Sequence, residues 1–257
     1  MFNKFEFGDK FKKFLDLIDC NIDDHDLKCA ESLTGEYKDW ILPSGNFHDS
    51  LEIERIGQPI ADAFYRDCMK ATDVTRYDYN NPAQQPLQKW DIDCSIELHP
   101  KALDLTHLNV SEKFRQCDTG DMCIEIWRDF ENKKPGWATK PVSTNVGPDM
   151  YLYVTPKYFY KVWAVGRFKE MIKSIQSQWS WEKVKGLIDK NIPYDHNGSI
   201  PIQVCGHDAS LIKSWTKMGK TKWYGVCICI PWETLSSEFF VDINKYDRNY
   251  NQLKIIE

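Results

Sequence analysis

Acidic residues between Asp91 and Val165 lie at the ends of short segments with alternating apolar residues, and this pattern most constrains the fold. Asp91-Ile92-Asp93 opens one segment, Asp121–Glu125 forms another and Asp149–Val154 a third. Such alternation is typical of strands, which hold carboxylates at fixed separations. Fixed carboxylates suit a divalent cation, because Mg²⁺ takes oxygen ligands in octahedral geometry. An acidic edge on an ordinary mixed sheet is the alternative interpretation.

The composition is that of a globular protein with one large domain, or one domain and an appendage. The chain has 257 residues, of which 42% are hydrophobic and 14% aromatic. This length is enough to bury a substantial core. The net charge of −5 argues against a protein that coats nucleic acid by bulk charge. It does not exclude an enzyme with a local basic groove.

The cysteines and the hydropathy predict a reducing environment and no membrane span. The nine cysteines are odd in number and form no C-x-x-C pair, which argues against a disulfide framework and a zinc knuckle. We therefore predict a cytoplasmic protein. No apolar run approaches the roughly 18 residues of a membrane helix, and the N-terminus does not read as a signal peptide.

The order of predicted elements indicates an α/β (α+β) fold with a central mixed sheet flanked by helices. We expect an N-terminal helical and loop extension over residues 1–49, a core over 50–192 and a β-rich C-terminal extension over 193–257. Apolar spacing predicts helices over 50–70, 168–177 and 181–190. The predicted strands include residues 88–98, 110–115, 122–127, 150–154, 158–165, 200–205, 223–231 and 239–243.

A helix with an acid, a strand opening on Asp-Ile-Asp and a strand with Glu125-Ile126-Trp127 resemble the PD-(D/E)XK nuclease superfamily. That superfamily includes restriction enzymes and Holliday-junction resolvases, so the resemblance implies a restriction-endonuclease-like fold over about residues 50–170. It also implies an Asp at a strand end and a Glu on the next strand that bind Mg²⁺. A Lys two positions beyond the Glu helps to activate the attacking water, and a helix Glu often assists.

By this resemblance Asp93 is the family Asp, with Asp91 as the other candidate metal ligand. Glu125 is the family Glu, and Glu54 is the optional helix acid. The family Lys falls on Trp127, which departs from the pattern and puts catalysis in doubt.

Lys113 is the candidate that would replace the missing lysine, from a strand expected beside Glu125. Arg128, Lys133 and Lys134 are alternatives, although arginine cannot act as a base at neutral pH. Another register makes Glu112 and Lys113 the central pair, with Glu125 one strand away.

A second feature indicates nucleic-acid binding, because lysines neutralise phosphates while aromatic rings stack on bases. The segment between residues 213 and 224 interleaves four lysines with three aromatic residues. A solvated hairpin whose aromatic residues enter the core is the alternative. The candidate contacts are Lys213, Trp215, Lys217, Lys220 and Lys222.

These observations predict a Mg²⁺- or Mn²⁺-dependent nuclease that hydrolyses DNA or RNA. Asp93, Glu125, Lys113 and Glu54 are its candidate catalytic residues, with Asp93, Glu125 and Asp91 as metal ligands. The alternative is a catalytically inactive nuclease-like fold that binds nucleic acid or a protein, of viral or mobile-element origin. Nucleic acid is the expected partner, and a protein partner or a homodimer is compatible with the sequence.

Overall fold

The computed structural model describes residues 47–78, 81–84, 86–87, 90–99, 107–115, 118–139, 147–155, 157–218, 220–247, 249–253 and 255. Most of the predicted N-terminal extension therefore lies outside the described residues. In chain order the elements are α1 (Phe47–Ala63), a π-helical segment (Phe64–Cys68), β1 (Ala71–Arg76), β2 (Cys94–Leu98), β3 (His107–Phe114), β4 (Asp121–Asp129), β5 (Lys134–Pro135), β6 (Met150–Val154), β7 (Phe159–Trp163), α2 (Arg167–Gln178), α3 (Trp181–Asn191), β8 (Gly198–Val204), β9 (His207–Met218), β10 (Thr221–Pro231), α4 (Trp232–Ser237), β11 (Ile243–Tyr246) and β12 (Gln252–Leu253).

One sheet has the strand order β1-β2-β3-β6-β7-β11-β12, and we call it the seven-stranded sheet. Its neighbours run antiparallel except β3 and β6, which run parallel with Lys113 beside Tyr153. A parallel pair needs a long crossover connection. Here the chain between β3 and β6 contributes β4 and β5 to a second sheet.

The second, five-stranded sheet has the order β5-β4-β10-β9-β8 and is antiparallel throughout. The predicted mixed α/β class is confirmed, but the strands form two sheets rather than one central sheet. Strand β10, from the predicted C-terminal extension, pairs with β4 from the predicted core, and β11 pairs with β7. Residues 193–257 therefore contribute strands to both sheets.

Strand β6 is buried on both faces, which explains its continuous apolar sequence. Leu152 packs in a core with Phe64, the first residue of the π-helical segment after α1. Tyr151 belongs to a second core with Phe168 of α2, and their ring centroids lie 5.3 Å apart. The seven-stranded sheet thus lies between the core that contains the end of α1 and the core shared by α2, α3 and the five-stranded sheet.

Helices α2 and α3 lie within one residue of their predicted bounds. Helix α3 begins after Ser180, whose side chain accepts a hydrogen bond from the backbone N–H of Lys183. This is the expected N-cap contact. None of the described helices is long and apolar enough to cross a membrane.

Gly57 and Gly186 give matched tests of how α1 packs. A Cβ atom added at Gly57 would lie 2.1 Å from Cδ1 of Phe114 on β3, whereas one at Gly186 in α3 would meet nothing within 4 Å. We expect Gly186→Ala to raise the free energy of unfolding by about 1 kcal/mol, since alanine favours helix. Gly57→Ala should lower it by about 1 kcal/mol, because overpacking outweighs that gain.

Urea unfolding of both variants and the wild type measures this difference. Equal stabilisation by the two substitutions would contradict the close approach of α1 to Phe114.

Candidate active site

The five predicted site residues come from four different elements and gather around the ammonium group of Lys113. Asp91 and Asp93 precede β2, Lys113 lies near the end of β3, Glu54 is on α1 and Glu125 is on β4. Lys113 Nζ lies 3.1 Å from Oδ1 of Asp91. The charges of Asp93 and Glu125 also act on Lys113, and the charge of Lys113 acts on Glu54.

Ser111 joins the two aspartates to the lysine. Its Oγ lies 2.9 Å from Oδ2 of Asp91 and 3.2 Å from Oδ2 of Asp93, and accepts a hydrogen bond from Lys113 Nζ at 2.7 Å. Successive side chains of a strand alternate between faces, so Ser111 and Lys113 share one face of β3. The backbone N–H of Glu112 donates to Asp93 Oδ2 at 2.6 Å. These bonds hold both carboxylates against β3.

Sequence reasoning did not single out Ser111 as a site residue. The available signal was its position two residues before Lys113 on an alternating strand, which puts both side chains on one face.

Asp91 has a backbone φ of +61°, a left-handed conformation that is uncommon for residues other than glycine. The strain is small for aspartate, which tolerates this region better than most residues. The turn brings Asp91 back toward Lys113, where its side chain is 14% exposed and that of Lys113 16% exposed. The ion pair is therefore largely shielded yet open to solvent.

Burial and repulsion between carboxylates shift Asp93 and Glu54 toward their protonated forms. Burial raises the pKa of Asp93 to about 6, with Lys113 opposing and the Asp91 charge adding to the shift. Burial, followed by the charge of Asp93, raises the pKa of Glu54 to about 7. Burial lowers the pKa of Lys113, but Asp91 and Asp93 outweigh it and the net shift is upward. The site thus combines a stable cation with carboxyl groups that exchange protons near neutral pH.

Glu112 takes a structural position on the opposite face of β3 from Lys113. Its carboxylate accepts hydrogen bonds from Arg76 Nη1 at 2.7 Å and from the hydroxyl of Tyr65 at 2.8 Å. A register in which Glu112 and Lys113 form one central pair does not match this arrangement, because the two side chains have different partners.

Glu125 approaches the site from the five-stranded sheet. The prediction that Lys113 lies on the strand beside Glu125 was wrong, because β3 pairs with β2 and β6 whereas β4 pairs with β5 and β10. Glu125 Oε2 accepts a hydrogen bond from the backbone N–H of Trp137 at 3.1 Å. A Cβ atom at Gly136 would lie 2.3 Å from the Glu125 carbonyl oxygen, so this close approach requires glycine.

Trp127 and the three alternative cations, Arg128, Lys133 and Lys134, have contacts other than those of Lys113. The Trp127 ring packs edge-on against Phe130 at 5.2 Å. Lys134 forms an ion pair with Asp129, and Lys133 lies over the Trp181 ring with its Nζ 4.2 Å from the centroid. Arg128 is exposed on β4, although its charge still acts on Glu125.

The predicted nucleic-acid segment forms the hairpin of β9 and β10, and two of its five candidates are buried. Lys213 is 1% exposed and donates to the carbonyl oxygens of Pro193 and Tyr194. It is therefore a structural residue and not a phosphate contact. Trp215 is 7% exposed and packs against Tyr224. Lys217, Lys220 and Lys222 are exposed.

Within the described part of the chain, no three or more His, Cys, Asp or Glu side chains are arranged to hold a metal ion. The carboxylates around Lys113 are hard oxygen donors, which is the chemistry that Mg²⁺ and Mn²⁺ prefer. Burial raises the pKa of Asp93, Glu54 and Glu125, and repulsion by neighbouring carboxylates adds to the shift of Asp93 and Glu54, which an added cation would relieve. The donor type is therefore the one that Mg²⁺ and Mn²⁺ prefer, although the described side chains are not arranged as a ligand group.

Glu54 should make the stability of the chain depend on pH. Its folded pKa of about 7 lies above the ordinary 4.5, so its favourable contribution is present below about pH 4.5 and lost as pH rises through 7. We therefore compare the free energy of unfolding of Glu54→Gln with that of the wild type, both in a chelator. The difference in favour of the variant should be larger at pH 8 than at pH 5 by about 2 kcal/mol.

Urea unfolding at both pH values checks this, with the exposed Glu170→Gln as the control that should show no such change. A Glu54→Gln difference that is the same at pH 5 and pH 8 would show that Glu54 is not buried beside Asp93.

No protein-family model, characterised protein or solved structure matches this chain. The resemblance to PD-(D/E)XK nucleases thus rests on the motifs alone. The function has to be inferred from the site itself, in which one lysine is surrounded by four carboxylates from three parts of the fold.

Proposed function

We propose that the chain is a metal-dependent nuclease that hydrolyses phosphodiester bonds of DNA or RNA. The observation that carries this proposal is the grouping of Asp91, Asp93 and Lys113 at the ends of β2 and β3, with Glu54 and Glu125 beside them. Buried carboxylates around one cation, reached by solvent, are typical of a catalytic site rather than of a stabilising surface ion pair.

The proposal also supplies the lysine that the sequence motif lacked. Asp93 directly precedes β2, and β3 is the neighbour of β2 in the seven-stranded sheet, so under this proposal Lys113 rather than Trp127 takes the role of the family Lys. The family Glu position then falls on Ser111. Asp91, held by the Ser111 hydroxyl at 2.9 Å, supplies the carboxylate at that point. Replacement of Glu by Ser remains a departure from the family pattern.

Asp91 and Asp93 would hold Mg²⁺ or Mn²⁺, with Glu125 as a further oxygen donor from β4. When bound, the ion supplies a water of lowered pKa and neutralises charge on the phosphate. Lys113 Nζ then orients a phosphate oxygen and stabilises the charge that develops there. Glu54, with a pKa of about 7, accepts the proton of the attacking water, directly or through Asp93.

The second candidate is an inactive nuclease-like module that binds nucleic acid. Ser111 in the Glu position and the direct Lys113–Asp91 ion pair favour it, because the lysine already has a partner within the protein. In this case the exposed lysines of the β9–β10 hairpin would bind phosphates without any turnover. Both candidates include nucleic-acid binding and differ in catalysis.

A cleavage assay separates the two candidates. Labelled single-stranded and double-stranded DNA and RNA are incubated with the full chain in Mg²⁺, Mn²⁺ or chelator. We expect metal-dependent cleavage that falls about 10²-fold or more in Asp93→Asn and in Lys113→Gln, since each loses a charge at the reacting phosphate. The exposed carboxylate variant Asp208→Asn should cleave like the wild type.

Cleavage that persists in Asp93→Asn would refute this site. A wild type that binds these nucleic acids without cutting any of them in either metal would support the inactive module. Thermal midpoints with and without metal show whether each variant is folded and whether the metal binds, because a bound ion stabilises the native state.

The hairpin lysines give a separate prediction about binding. We expect replacement of Lys217, Lys220 and Lys222 by glutamine to weaken binding to single-stranded DNA. The plot of the logarithm of the association constant against the logarithm of the salt concentration should become less steep, by about 2 in slope. Fluorescence anisotropy over a salt series measures both effects. The control replaces three exposed lysines elsewhere, Lys70, Lys134 and Lys157. An equal loss of affinity in the two triple variants would rule out the hairpin as a specific contact.

A further inference from the structure

Three cysteines lie together on two neighbouring strands of the five-stranded sheet. Cys229 on β10 is the direct partner of Cys123 on β4 in the strand register. Cys227 lies two residues before Cys229 and pairs with Glu125. Residues two apart on a strand point to the same face, as do residues directly opposite each other. The three side chains therefore share one face, and each is a free thiol.

The surroundings of Cys123 combine a cation with partial access to solvent. Arg115 Nη2 donates to the Cys123 carbonyl oxygen at 3.4 Å, and the hydroxyl of Tyr153 donates to the same oxygen at 3.0 Å. Arg115 also lies over the Tyr153 ring, with its Cζ 5.7 Å from the centroid. Cys123 and Cys227 are half-buried, whereas Cys229 is 4% exposed. Cys123 is thus the more exposed residue of the directly opposed pair, Cys123 and Cys229.

The register brings the Cys123 and Cys229 sulfurs within range of a disulfide. Residues directly opposite on antiparallel strands have Cβ atoms about 4.5–5.5 Å apart. A disulfide has a Cβ–Cβ distance of about 3.5–4.5 Å. The bond thus requires a local shift of about 1 Å and no change in strand pairing. Cys227 pairs with Glu125 and is therefore the diagonal neighbour of Cys123, whereas Cys229 is its direct partner in the register.

We propose that hydroperoxides oxidise Cys123 and that the oxidised residue then forms a reversible disulfide with Cys229. None of these residues takes part in the proposed hydrolysis, so this inference stands independently of the nuclease proposal. A second thiol directly opposite Cys123 and an arginine in contact with the same residue are the features that favour such a site.

The chemistry balances in two steps. The Cys123 sulfur attacks one oxygen of the hydroperoxide, the O–O bond breaks, and the other oxygen leaves as an alcohol with the thiol proton. This leaves a sulfenic acid on Cys123. The Cys229 sulfur then attacks the Cys123 sulfur, the S–O bond breaks, and hydroxide leaves and takes the Cys229 proton as water. Two sulfurs are oxidised and one peroxide is reduced to alcohol and water, or to water alone when the peroxide is hydrogen peroxide.

Hydrogen peroxide treatment of the full-length protein tests the proposal. Thiols are counted in denaturant before and after oxidation, and peptides are mapped by mass spectrometry without reduction. We expect the loss of two of the nine thiols, a linked peptide pair containing residues 123 and 229, and recovery with dithiothreitol. Cys205→Ser, at an exposed cysteine outside the cluster, is the matched control and should give the same linked pair.

The partner is identified by two variants. Cys229→Ser should stop the reaction at the sulfenic acid, which dimedone labels on Cys123, whereas Cys227→Ser should still form the disulfide. Circular dichroism confirms that the variants are folded. Each of three results would overturn the proposal. The wild type could keep all its thiols, the linked pair could omit Cys123, or the disulfide could be lost in Cys227→Ser and kept in Cys229→Ser.

Discussion

The buried ion pair of Glu112 and Arg76 determines how the helix and the strands of the site are placed. Arg76 on β1 reaches past β2 to Glu112 on β3, with Nη1 at 2.7 Å, and its Nη2 contacts Asp62 and the Gln58 carbonyl oxygen on α1. The Glu112 side chain is 1% exposed. Loss of one member of such a pair costs about 3–5 kcal/mol because it leaves an uncompensated buried charge. This contact therefore binds α1 firmly to β3.

The placement of α1 has a direct consequence for the proposed chemistry. Glu54 is on α1, and Lys113 is on β3 next to Glu112. The contacts of Arg76 with α1 and Glu112 therefore fix the position of Glu54, the proposed proton acceptor, relative to Lys113. Alternation along β3 separates the two tasks of that strand. Glu112 forms the ion pair with Arg76, whereas Ser111 and Lys113, on the other face of the strand, bind Asp91 and Asp93. Strand β3 thus contributes Glu112 to the Arg76 ion pair and Lys113 to the proposed catalytic site.

The five-stranded sheet completes the site and carries the thiol cluster. Strand β4 supplies Glu125 to the carboxylate group and Cys123 to the thiols. Their cationic neighbours are Lys113 on β3 and Arg115, which directly follows β3. Both proposals use β4, but they involve different residues and different reagents. Failure of one therefore leaves the other standing.

Local sequence patterns predicted helices α2 and α3 and strands β4 and β6, but not β1 or α4, and the strand predicted over 239–243 begins only at Ile243. The periods of α2 and α3, and the alternation of β4 and β6, can be read from residues close in the chain. Whether Lys113 or Trp127 meets the carboxylates could not be predicted, because strand pairing depends on hydrogen bonds between distant segments. Only the tertiary structure decided that β4 lies in a second sheet and that β3 runs parallel to β6. Burial of Lys213 was likewise decided by packing, since its carbonyl partners Pro193 and Tyr194 belong to the connection before β8.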